Sequence, residues 1–269
     1  MISSPRATIK HFVYRVSPKL CYFLESLSLY ALRLRYERLV HCMIAQHGLV
    51  VQSGPFAGMA YVPQATGSAL IPKLLGSYEA ELHDVITRVF DTVYDNVVDV
   101  GCAEGYYAVG LALRLPSVPV YAFDIDPLAQ QRCRDMANAN RVADRVSVGG
   151  ECDARLLQTL MRERTLVVCD CEGYEMQLLQ PELVPGLCTA DVLVELHDLI
   201  DPNISHAILT RFSATHNVVL IQSGERDPKE YPALSAFKAV DQGIAITEFR
   251  IKAMQWAFMT PKTPVTTAL

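Results

Sequence analysis

Short apolar runs alternate with longer helical patterns through most of this chain, and that alternation limits the possible folds more than any single motif. Strands are predicted at 97–100, 118–123, 146–148, 166–169, 192–196, 218–221 and 255–259, and helices at 77–93, 106–115, 127–140, 154–162, 174–179 and 204–215. Strands joined by helices pair in parallel, and the helices cover both faces of the sheet. The pattern therefore predicts an α/β fold with a mostly parallel sheet.

Residues 1–70 lie outside this alternation. Apolar residues recur at helical spacing over 20–34, which predicts an amphipathic helix that ends before Gly48. Glycines and prolines interrupt 48–67, as is typical of a β-hairpin or an irregular extended segment. We predict an appendage at 1–70, a main domain at 71–260 and a flexible tail at 261–269. The first 20 residues are basic and acid-free, which favours a lead-in to the helix, with a transit peptide or membrane-surface anchor as alternatives.

The overall charge bears on the kind of substrate that the chain can bind. Its formal net charge is −5 at pH 7, and it lacks the basic footprint of proteins that bind a phosphate backbone. We therefore predict that the substrate is a small molecule and not a nucleic acid.

The eight cysteines contain no CxxC pair, which favours reduced thiols in the cytoplasm. No apolar run reaches the roughly 20 residues that span a bilayer. The sequence leaves open whether two copies of the chain form a homodimer.

The strongest local signal is a β-branched strand that runs into a glycine turn at 97–105. Its glycines, Gly101 and Gly105, let the backbone pass close to a ligand, and the helix that follows offers free N–H groups to a carboxylate. The spacing from Asp99 differs from the G-x-G-x-x-G of dinucleotide binders. Glu104 in this turn would repel a pyrophosphate and attract an ammonium group. The segment thus predicts a ligand with an amino-acid end.

A second acid follows the next predicted strand. Asp124 lies 25 residues after Asp99, close to the offset of about 20 at which an acid meets ribose hydroxyls in this kind of fold. Asp126 precedes Pro127 and is better explained as a helix N-cap. We therefore predict that Asp124 binds the ligand's ribose.

Three motifs in this order resemble those of FkbM-type class I S-adenosylmethionine-dependent methyltransferases. They are Asp99-x-Gly101-x-x-Glu104-Gly105-Tyr106-Tyr107, Phe123-Asp124-x-Asp126-Pro127 and Asp170-Cys171-Glu172-Gly173-Tyr174-Glu175. The third is the most specific, and the resemblance covers roughly residues 75–260. It implies a Rossmann-like seven-stranded sheet with an antiparallel last strand, and S-adenosylmethionine across the carboxyl ends of the first, second and fourth strands.

The resemblance also implies roles for individual residues toward S-adenosylmethionine. The methionine end would be held at Asp99, Gly101, Glu104 and Gly105, the ribose at Asp124, and the adenine edge at Glu151 or Asp153. Tyr106, Ile125 and Asp170 complete the predicted cofactor set. The family usually has Glu-Pro where this chain has Asp124-Ile125, which keeps the acid and changes the turn.

The fourth predicted strand ends in acids that suit a cationic methyl donor. Asp170 is predicted to lie near the sulfonium and to take part in catalysis. Glu172 and Glu175 either share that role or favour the N-terminus of the following helix. The sequence leaves both readings open for these two residues.

The fifth predicted strand ends in Glu195-Leu196-His197-Asp198. Alternation along a strand places Glu195 and His197 on one face. We predict that His197 removes the proton of an acceptor hydroxyl while Glu195 or Asp198 orients it. The alternative is a buried histidine that caps the strand end.

A divalent ion at Asp170, Glu195 and His197 is an alternative use of the same residues, although the prediction is that no metal is bound. Tyr78 and Glu79 are candidates for a lid over the cofactor or acceptor, and the alternative is an ordinary helix start with Ser77 as the N-cap. Near the C-terminus, 248–250 and Trp256 either shape the acceptor pocket or form a salt bridge and a core tryptophan.

Together these features predict O-methylation of a small metabolite or sugar hydroxyl by S-adenosylmethionine. Two alternatives stay open. One is a non-catalytic protein that binds S-adenosylmethionine and uses its N-terminal helix for interaction or membrane docking. The other is an NAD-dependent oxidoreductase, against which the turn at 97–105 argues.

Overall fold

The computed structural model describes residues 18–250 and 252–262, with side chains from residue 29 onward. The predicted lead-in at 1–17 and the end of the predicted tail, 263–269, lie outside the described residues. The chain divides into two compact units, Met1–Gly48 and Leu49–Leu269. The predicted appendage at 1–70 therefore spans the boundary between two units.

The described part of the smaller unit is a long helix, α1 (Pro18–His47). It ends directly before Gly48, as predicted, and the Gly48 N–H donates to the Ile44 carbonyl at 2.8 Å. The amphipathic pattern predicted over 20–34 stays a prediction, because most of those side chains lie outside the described ones. Within the described residues, no helix has both the length and the apolarity needed to cross a membrane.

Residues 49–69 belong to the larger unit and are mostly irregular. The predicted hairpin is reduced to one antiparallel bridge, between Val50 and Ala60. Both backbone polar groups of Ala60 bond instead to the Asn140 side-chain amide, at 2.8 Å each. Arg114 donates to the Pro55 carbonyl at 2.8 Å. These long-range bonds join the segment to the main domain, which the glycine and proline pattern could not reveal.

In the described part of the chain, seven strands form one sheet in the order β3-β2-β1-β4-β5-β7-β6. Their bounds are β1 (Asn96–Val100), β2 (Val120–Phe123), β3 (Val146–Gly149), β4 (Thr165–Cys169), β5 (Asp191–Glu195), β6 (His216–Gln222) and β7 (Gln255–Pro261). Strand β7 runs antiparallel to β5 and β6, and the other pairs are parallel. Every residue of β1 and β4 is buried, as expected for central strands covered on both faces. The predicted Rossmann-like α/β fold is confirmed.

The helices of the larger unit connect these strands. They are α2 (Leu70–Leu75), α3 (His83–Phe90), α4 (Tyr106–Arg114), α5 (Pro127–Ala139), α6 (Ala154–Leu160), α7 (Glu175–Leu178), α8 (Ile204–Phe212) and α9 (Ala239–Ala245), with 3-10 turns at Ala80–Leu82, Pro185–Thr189, Pro228–Glu230 and Pro232–Leu234. The predicted helix 77–93 begins later, because Glu79 has a left-handed backbone with φ 48°. Helices α2 and α9 were not predicted, since Pro72 and Gly243 interrupt their patterns.

The strand order fixes where a ligand can enter. From β1 the chain moves outward to β2 and β3, and it then returns to β4 on the other side of β1 and continues to β5. Such a reversal opens a crevice at the carboxyl ends of the two central strands, where open α/β sheets bind ligands. The segments that follow β1, β2, β4 and β5 all meet at this edge.

Candidate active site

A cavity of about 760 Å³ lies at this edge of the sheet. Its walls come from the turns after β1 to β5 and from residues distant in sequence, at 66–78, 248–250 and 254. The lining includes Thr66, Gly67, Ser68, Lys73, Tyr78, Gly101, Ala103, Asp124, Ile125, Glu151, Asp170, Glu172, Glu195, His197, Glu248, Phe249 and Arg250. Most of the predicted site residues that follow strands thus meet in one space.

Gly101 is the point at which the β1 turn presses against the β4 turn. Its φ is +85°, and a Cβ atom here would lie 1.6 Å from the backbone oxygen of Asp170. The Gly101 N–H donates to the Phe123 carbonyl at 2.8 Å. The glycine therefore fixes the three turns that follow β1, β2 and β4 against one another.

Asp124 is held with its carboxylate on the cavity wall. Its Oδ2 accepts the Ala103 N–H at 2.9 Å, and its Oδ1 accepts the Asp126 N–H at 2.8 Å. Each carboxylate oxygen can accept a further bond, so Asp124 is oriented to receive two hydroxyl donors. Ile125, 81% exposed, and Glu151 line the neighbouring wall.

Glu104 is placed differently from the prediction, because it is fully buried and does not line the cavity. Its Oε1 accepts from Lys73 Nζ and from the Tyr61 hydroxyl at 2.5 Å each, and its Oε2 accepts the Thr66 N–H at 2.8 Å. Burial opposes ionisation, but the Lys73 ammonium outweighs it and holds the pKa of Glu104 below its ordinary value. The ammonium group beside Glu104 is therefore that of Lys73, whereas the sequence suggested one on the ligand.

Lys73 and the segment 66–68 line the cavity and were missed by sequence reasoning. They lie more than 20 residues before β1, in a segment with no recognisable motif. Their position depends on the buried pair with Glu104, a contact over 31 residues, and no local pattern could have identified it.

Besides Glu104, four predicted cofactor residues lie outside the cavity lining: Tyr106, Gly105, Asp153 and Asp99. Tyr106 is buried against aromatic rings, with its centroid 5.2 Å from that of Phe56. A Cβ atom on Gly105 would lie 2.8 Å from Cys133 Sγ, so this glycine allows α4 and α5 to pack closely. Asp153 accepts the Leu156 N–H at 2.7 Å. It therefore caps α6, which is a structural role.

Asp99 lies beneath the cavity, 2% exposed, and its Oδ2 has no hydrogen-bond partner among the described residues. Burial raises its pKa to about 7, partly opposed by a bond from the Ala108 backbone. The contact of Asp99 with the methionine end stays a prediction, and the ionisation of this buried acid costs folding free energy.

We expect this buried acid to make stability depend on pH. The folded pKa lies above the unfolded one, so the proton stabilises the fold at low pH, and this contribution is lost as pH rises toward about 7. Asp99→Asn removes the titration. In urea unfolding, the stability of the variant relative to the parent should increase by about 2 kcal/mol between about pH 5.5 and about pH 8. An unchanged difference at the two pH values would show that Asp99 is ionised without penalty.

His197 lies at the end of the cavity opposite Asp124, where several carboxylates surround it. Its Nδ1 lies 2.7 Å from Glu175 Oε1, and its Nε2 lies 3.5 Å from Asp170, 3.6 Å from Glu172 and 3.6 Å from Glu195. Burial opposes protonation of the imidazole, but the bond and charge of Glu175 outweigh it and raise the pKa of His197. The predicted grouping of Asp170, Glu195 and His197 is thus present in the geometry.

The residue that orients His197 differs from the predicted one. Neither Glu195 nor Asp198 bonds to Nδ1; Asp198 accepts the Ser205 N–H at 2.8 Å instead. The fully buried Glu175 takes that place. Its Oε1 also accepts the N–H groups of Cys171 and Gly173, at 3.1 and 3.3 Å. One carboxylate oxygen therefore ties the imidazole to the turn after β4.

Arg250 closes the wall beside His197 with three ion pairs. Its Nη1 lies 2.6 Å from Glu195, its Nη2 2.5 Å from Glu79 and its Nε 2.8 Å from Glu248. Burial, followed by the charge of Glu195, raises the pKa of Glu79 to about 7. The pKa of Asp170 is raised well above its ordinary value for the same two reasons.

The remaining candidates are the residues at 78–79, at 248–250 and at 256. Some of them line the cavity and others are buried in the structure. Tyr78 and 248–250 line the cavity, and Arg250 also forms the expected salt bridge with Glu248. Glu79 is buried behind the wall and contacts lining residues through its ion pair with Arg250 and through the hydrogen bond from its N–H to Glu248 at 3.2 Å. Trp256 is fully buried on β7, which is the core position that the sequence favoured.

Two overlapping groups of side chains bring three possible metal-ligand atoms within 4.8 Å of one another: Asp170, Glu175 and His197, and Glu79, Asp170 and Glu195. In the second group Arg250 already contacts two of the three carboxylates. In the first, Glu175 is engaged with the imidazole. The carboxylates can receive a cation, and the chain itself compensates part of their charge.

Several solved structures are similar to this one at low sequence identity. TrmN from Thermus thermophilus is 15% identical with a TM-score of 0.43; the match covers 71% of this chain and 52% of that one, so the chain spans about half of its length. An rRNA methylase from Streptococcus thermophilus is 10% identical with a TM-score of 0.48, over 68% of this chain and 97% of that one.

A third similar structure is the O-methyltransferase TomG from Streptomyces achromogenes, which is involved in tomaymycin synthesis and was solved in complex with S-adenosylmethionine. It is 16% identical with a TM-score of 0.43, over 74% of this chain and 83% of that one. No family model and no curated protein sequence matches the chain. At these identities the likeness concerns the fold, and the FkbM-type resemblance stays a prediction.

Proposed function

We propose that this chain is an S-adenosylmethionine-dependent methyltransferase that methylates a hydroxyl group of a small metabolite or sugar. The observation that carries the proposal is one cavity with a different function at each end. At one end Asp124 presents an oriented carboxylate, and at the other His197 presents an imidazole that is already bonded to a buried acid. Both lie at the carboxyl edge of the sheet, where this fold binds ligands.

The described residues fit the cofactor in shape and charge. Asp124 would accept hydrogen bonds from the two ribose hydroxyls, and the main chain at Gly101 and Ala103 would lie along the amino-acid end. Ile125 and Glu151 would line the adenine. When bound, the cofactor supplies a methyl group on a positively charged sulfur, and the carboxylate of Asp170 favours such a charge nearby.

His197 supplies the proton acceptor in this proposal. Glu175 accepts the Nδ1–H, which leaves the Nε2 lone pair free on the side of Asp170 and Glu195. An acceptor hydroxyl bound at Nε2 would lose its proton there, and the cofactor, when bound, would supply the methyl group to its oxygen and leave as S-adenosylhomocysteine. The imidazolium that forms is stabilised by the carboxylates around it. The protein's remaining contribution is to hold the two reacting atoms in line.

Glu175→Gln should change the pH dependence of the reaction. The rate requires neutral imidazole, so it rises with pH through the pKa of His197, which is raised above its ordinary value by Glu175. Glutamine keeps an acceptor for Nδ1–H and removes the charge, so the rise should move to lower pH and the plateau rate should fall. The pH profile of kcat measures both. A profile that falls in height without moving would indicate that Glu175 is only a structural residue.

Methyl transfer itself can be tested with radiolabelled S-adenosylmethionine and a cell extract fractionated into small metabolites and RNA. We expect label in hydroxyl compounds with the parent protein, and transfer at least about 100-fold slower with His197→Ala. Bound cofactor without transfer to any fraction would favour a non-catalytic binding protein. Label that is found mainly in RNA would contradict the small-molecule acceptor, which the acidic cavity lining supports.

The described cysteines are free thiols, and this supports a reducing compartment such as the cytoplasm.

A further inference from the structure

Carboxyl groups outnumber cationic side chains at the end of the cavity around His197, and a bound cation would favour the ionised form of Asp170, whose pKa is raised well above its ordinary value by burial and by Glu195. Among the described lining residues, the permanent cations are Lys73 and Arg250. The carboxylates are Asp124, Glu151, Asp170, Glu172, Glu195 and Glu248. Three of these six, Asp170, Glu172 and Glu195, have an oxygen within 3.6 Å of His197 Nε2. Since His197 must be neutral to accept a proton, it does not offset them in the reactive state.

Both permanent cations are already engaged with carboxylates of the chain. Lys73 is paired with Glu104 at 2.5 Å. Each of the three nitrogens of Arg250 contacts a carboxylate, on Glu79, Glu195 or Glu248. An acceptor with a carboxylate or phosphate would therefore meet no unpaired lysine or arginine among the described lining residues, and it would be repelled by the acids.

Glu172 is the carboxylate best placed to contact an acceptor. Its side chain is 82% exposed, in contrast to the buried Glu195, and its Oε2 lies 3.6 Å from His197 Nε2. The backbone of Glu172 has φ 51°, a costly conformation for a residue other than glycine. Among the described residues, its ion-pair contact is with His197. A hydroxyl bound at Nε2 would therefore bring the next few atoms of the acceptor beside Glu172.

From this geometry we infer that the acceptor carries a protonated amine within two or three bonds of the hydroxyl that is methylated, with the ammonium group received by Glu172 and Asp170. The chemical class is an amino alcohol or an amino sugar. The inference rests on the proposed function for the role of the hydroxyl, whereas binding of the ammonium group depends only on the carboxylates. The sulfonium of the cofactor supplies one positive charge, and the ammonium supplies a second.

Three small probes test the charge preference because they share a primary hydroxyl and differ in the neighbouring group. They are ethanolamine, ethylene glycol and glycolate. Binding is followed through the NMR signals of isotopically labelled His197, both in protein saturated with S-adenosylhomocysteine and in protein without it. Glu172→Gln removes the proposed contact, and Glu182→Gln, an exposed acid outside the cavity lining, is the matched control.

We expect saturable binding of ethanolamine, about tenfold tighter than that of ethylene glycol, and no binding of glycolate. Glu172→Gln should weaken ethanolamine binding about three- to fivefold, the size expected for one partly exposed ion pair, and Glu182→Gln should leave it unchanged. The inference is overturned if ethanolamine does not bind, if glycolate binds as well, or if Glu172→Gln has no effect.

A metal ion is the competing occupant of these carboxylates. Mn²⁺ added in the same experiment broadens the His197 signals if it binds beside them. Broadening at stoichiometric Mn²⁺ together with loss of ethanolamine binding would overturn the inference in favour of a metal site. The same experiment distinguishes failure of this inference from failure of the proposed methyltransferase function. Ethanolamine binding without any binding of S-adenosylhomocysteine would contradict the methyltransferase and leave the ammonium site standing.

Discussion

Replacing His197 with alanine is expected to lower the rate of methyl transfer by about 10²- to 10⁴-fold, the usual contribution of a general base. The imidazole is the neutral acceptor closest to Asp170 and Glu195 in the cavity, and the buried Glu175 fixes its orientation. Because Asp124 and the β1 turn lie at the other end, the affinity for S-adenosylmethionine should change little. Single-turnover rates and calorimetric titration measure the two effects separately.

His206→Ala provides the control, since this histidine is exposed on α8 and outside the cavity lining. It should retain the parent rate. An equal loss in both variants would point to a general effect on the fold. A full rate in His197→Ala would remove the proposed base and leave catalysis by positioning alone.

Gly101→Ala is expected to be the most destabilising of the single substitutions considered. The new Cβ would lie 1.6 Å from the backbone oxygen of Asp170, and alanine would have to adopt φ +85°. The left-handed conformation alone costs about 1–3 kcal/mol, and relief of the clash requires the β1 and β4 turns to separate. We expect a loss of more than about 4 kcal/mol in free energy of unfolding, or failure to fold.

Gly150→Ala is the matched change at another glycine of the cavity wall. Its nearest heavy atom would be 3.8 Å away, and its φ lies outside the left-handed region. It should alter stability by less than about 1 kcal/mol in urea unfolding. A Gly101→Ala variant as stable as Gly150→Ala would mean that the two turns are not in the close contact described.

The predictable part of the site lies where local pattern and fold coincide. Asp124, Asp170 and His197 follow strands and Glu195 ends one, and parallel strands bring their carboxyl ends to one edge. The alternation of strands and helices therefore predicts that these residues converge. The strand assignments were reliable because short runs of buried β-branched residues have few other uses in an α/β chain.

The unpredictable part depends on contacts between residues distant in sequence or on turn geometry. Glu104 faces inward to Lys73, which lies 31 residues earlier, and Arg250 reaches Glu195 over 55 residues. Glu175 became the partner of His197 because the turn at Glu172 and Gly173 adopts positive φ values, which redirect the chain after β4. A periodicity argument cannot specify such turns.

The most direct test of the account is a calorimetric titration of S-adenosylmethionine and S-adenosylhomocysteine into the parent protein and into Asp124→Ala, with NAD as the comparison ligand. Asp153→Ala, which loses a helix cap outside the cavity, is the control variant. The account predicts that both ligands bind the parent and Asp153→Ala, and that Asp124→Ala weakens them by about 10- to 100-fold, the loss expected for hydrogen bonds to a charged group. Absence of binding to the parent, or tighter binding of NAD, would contradict it.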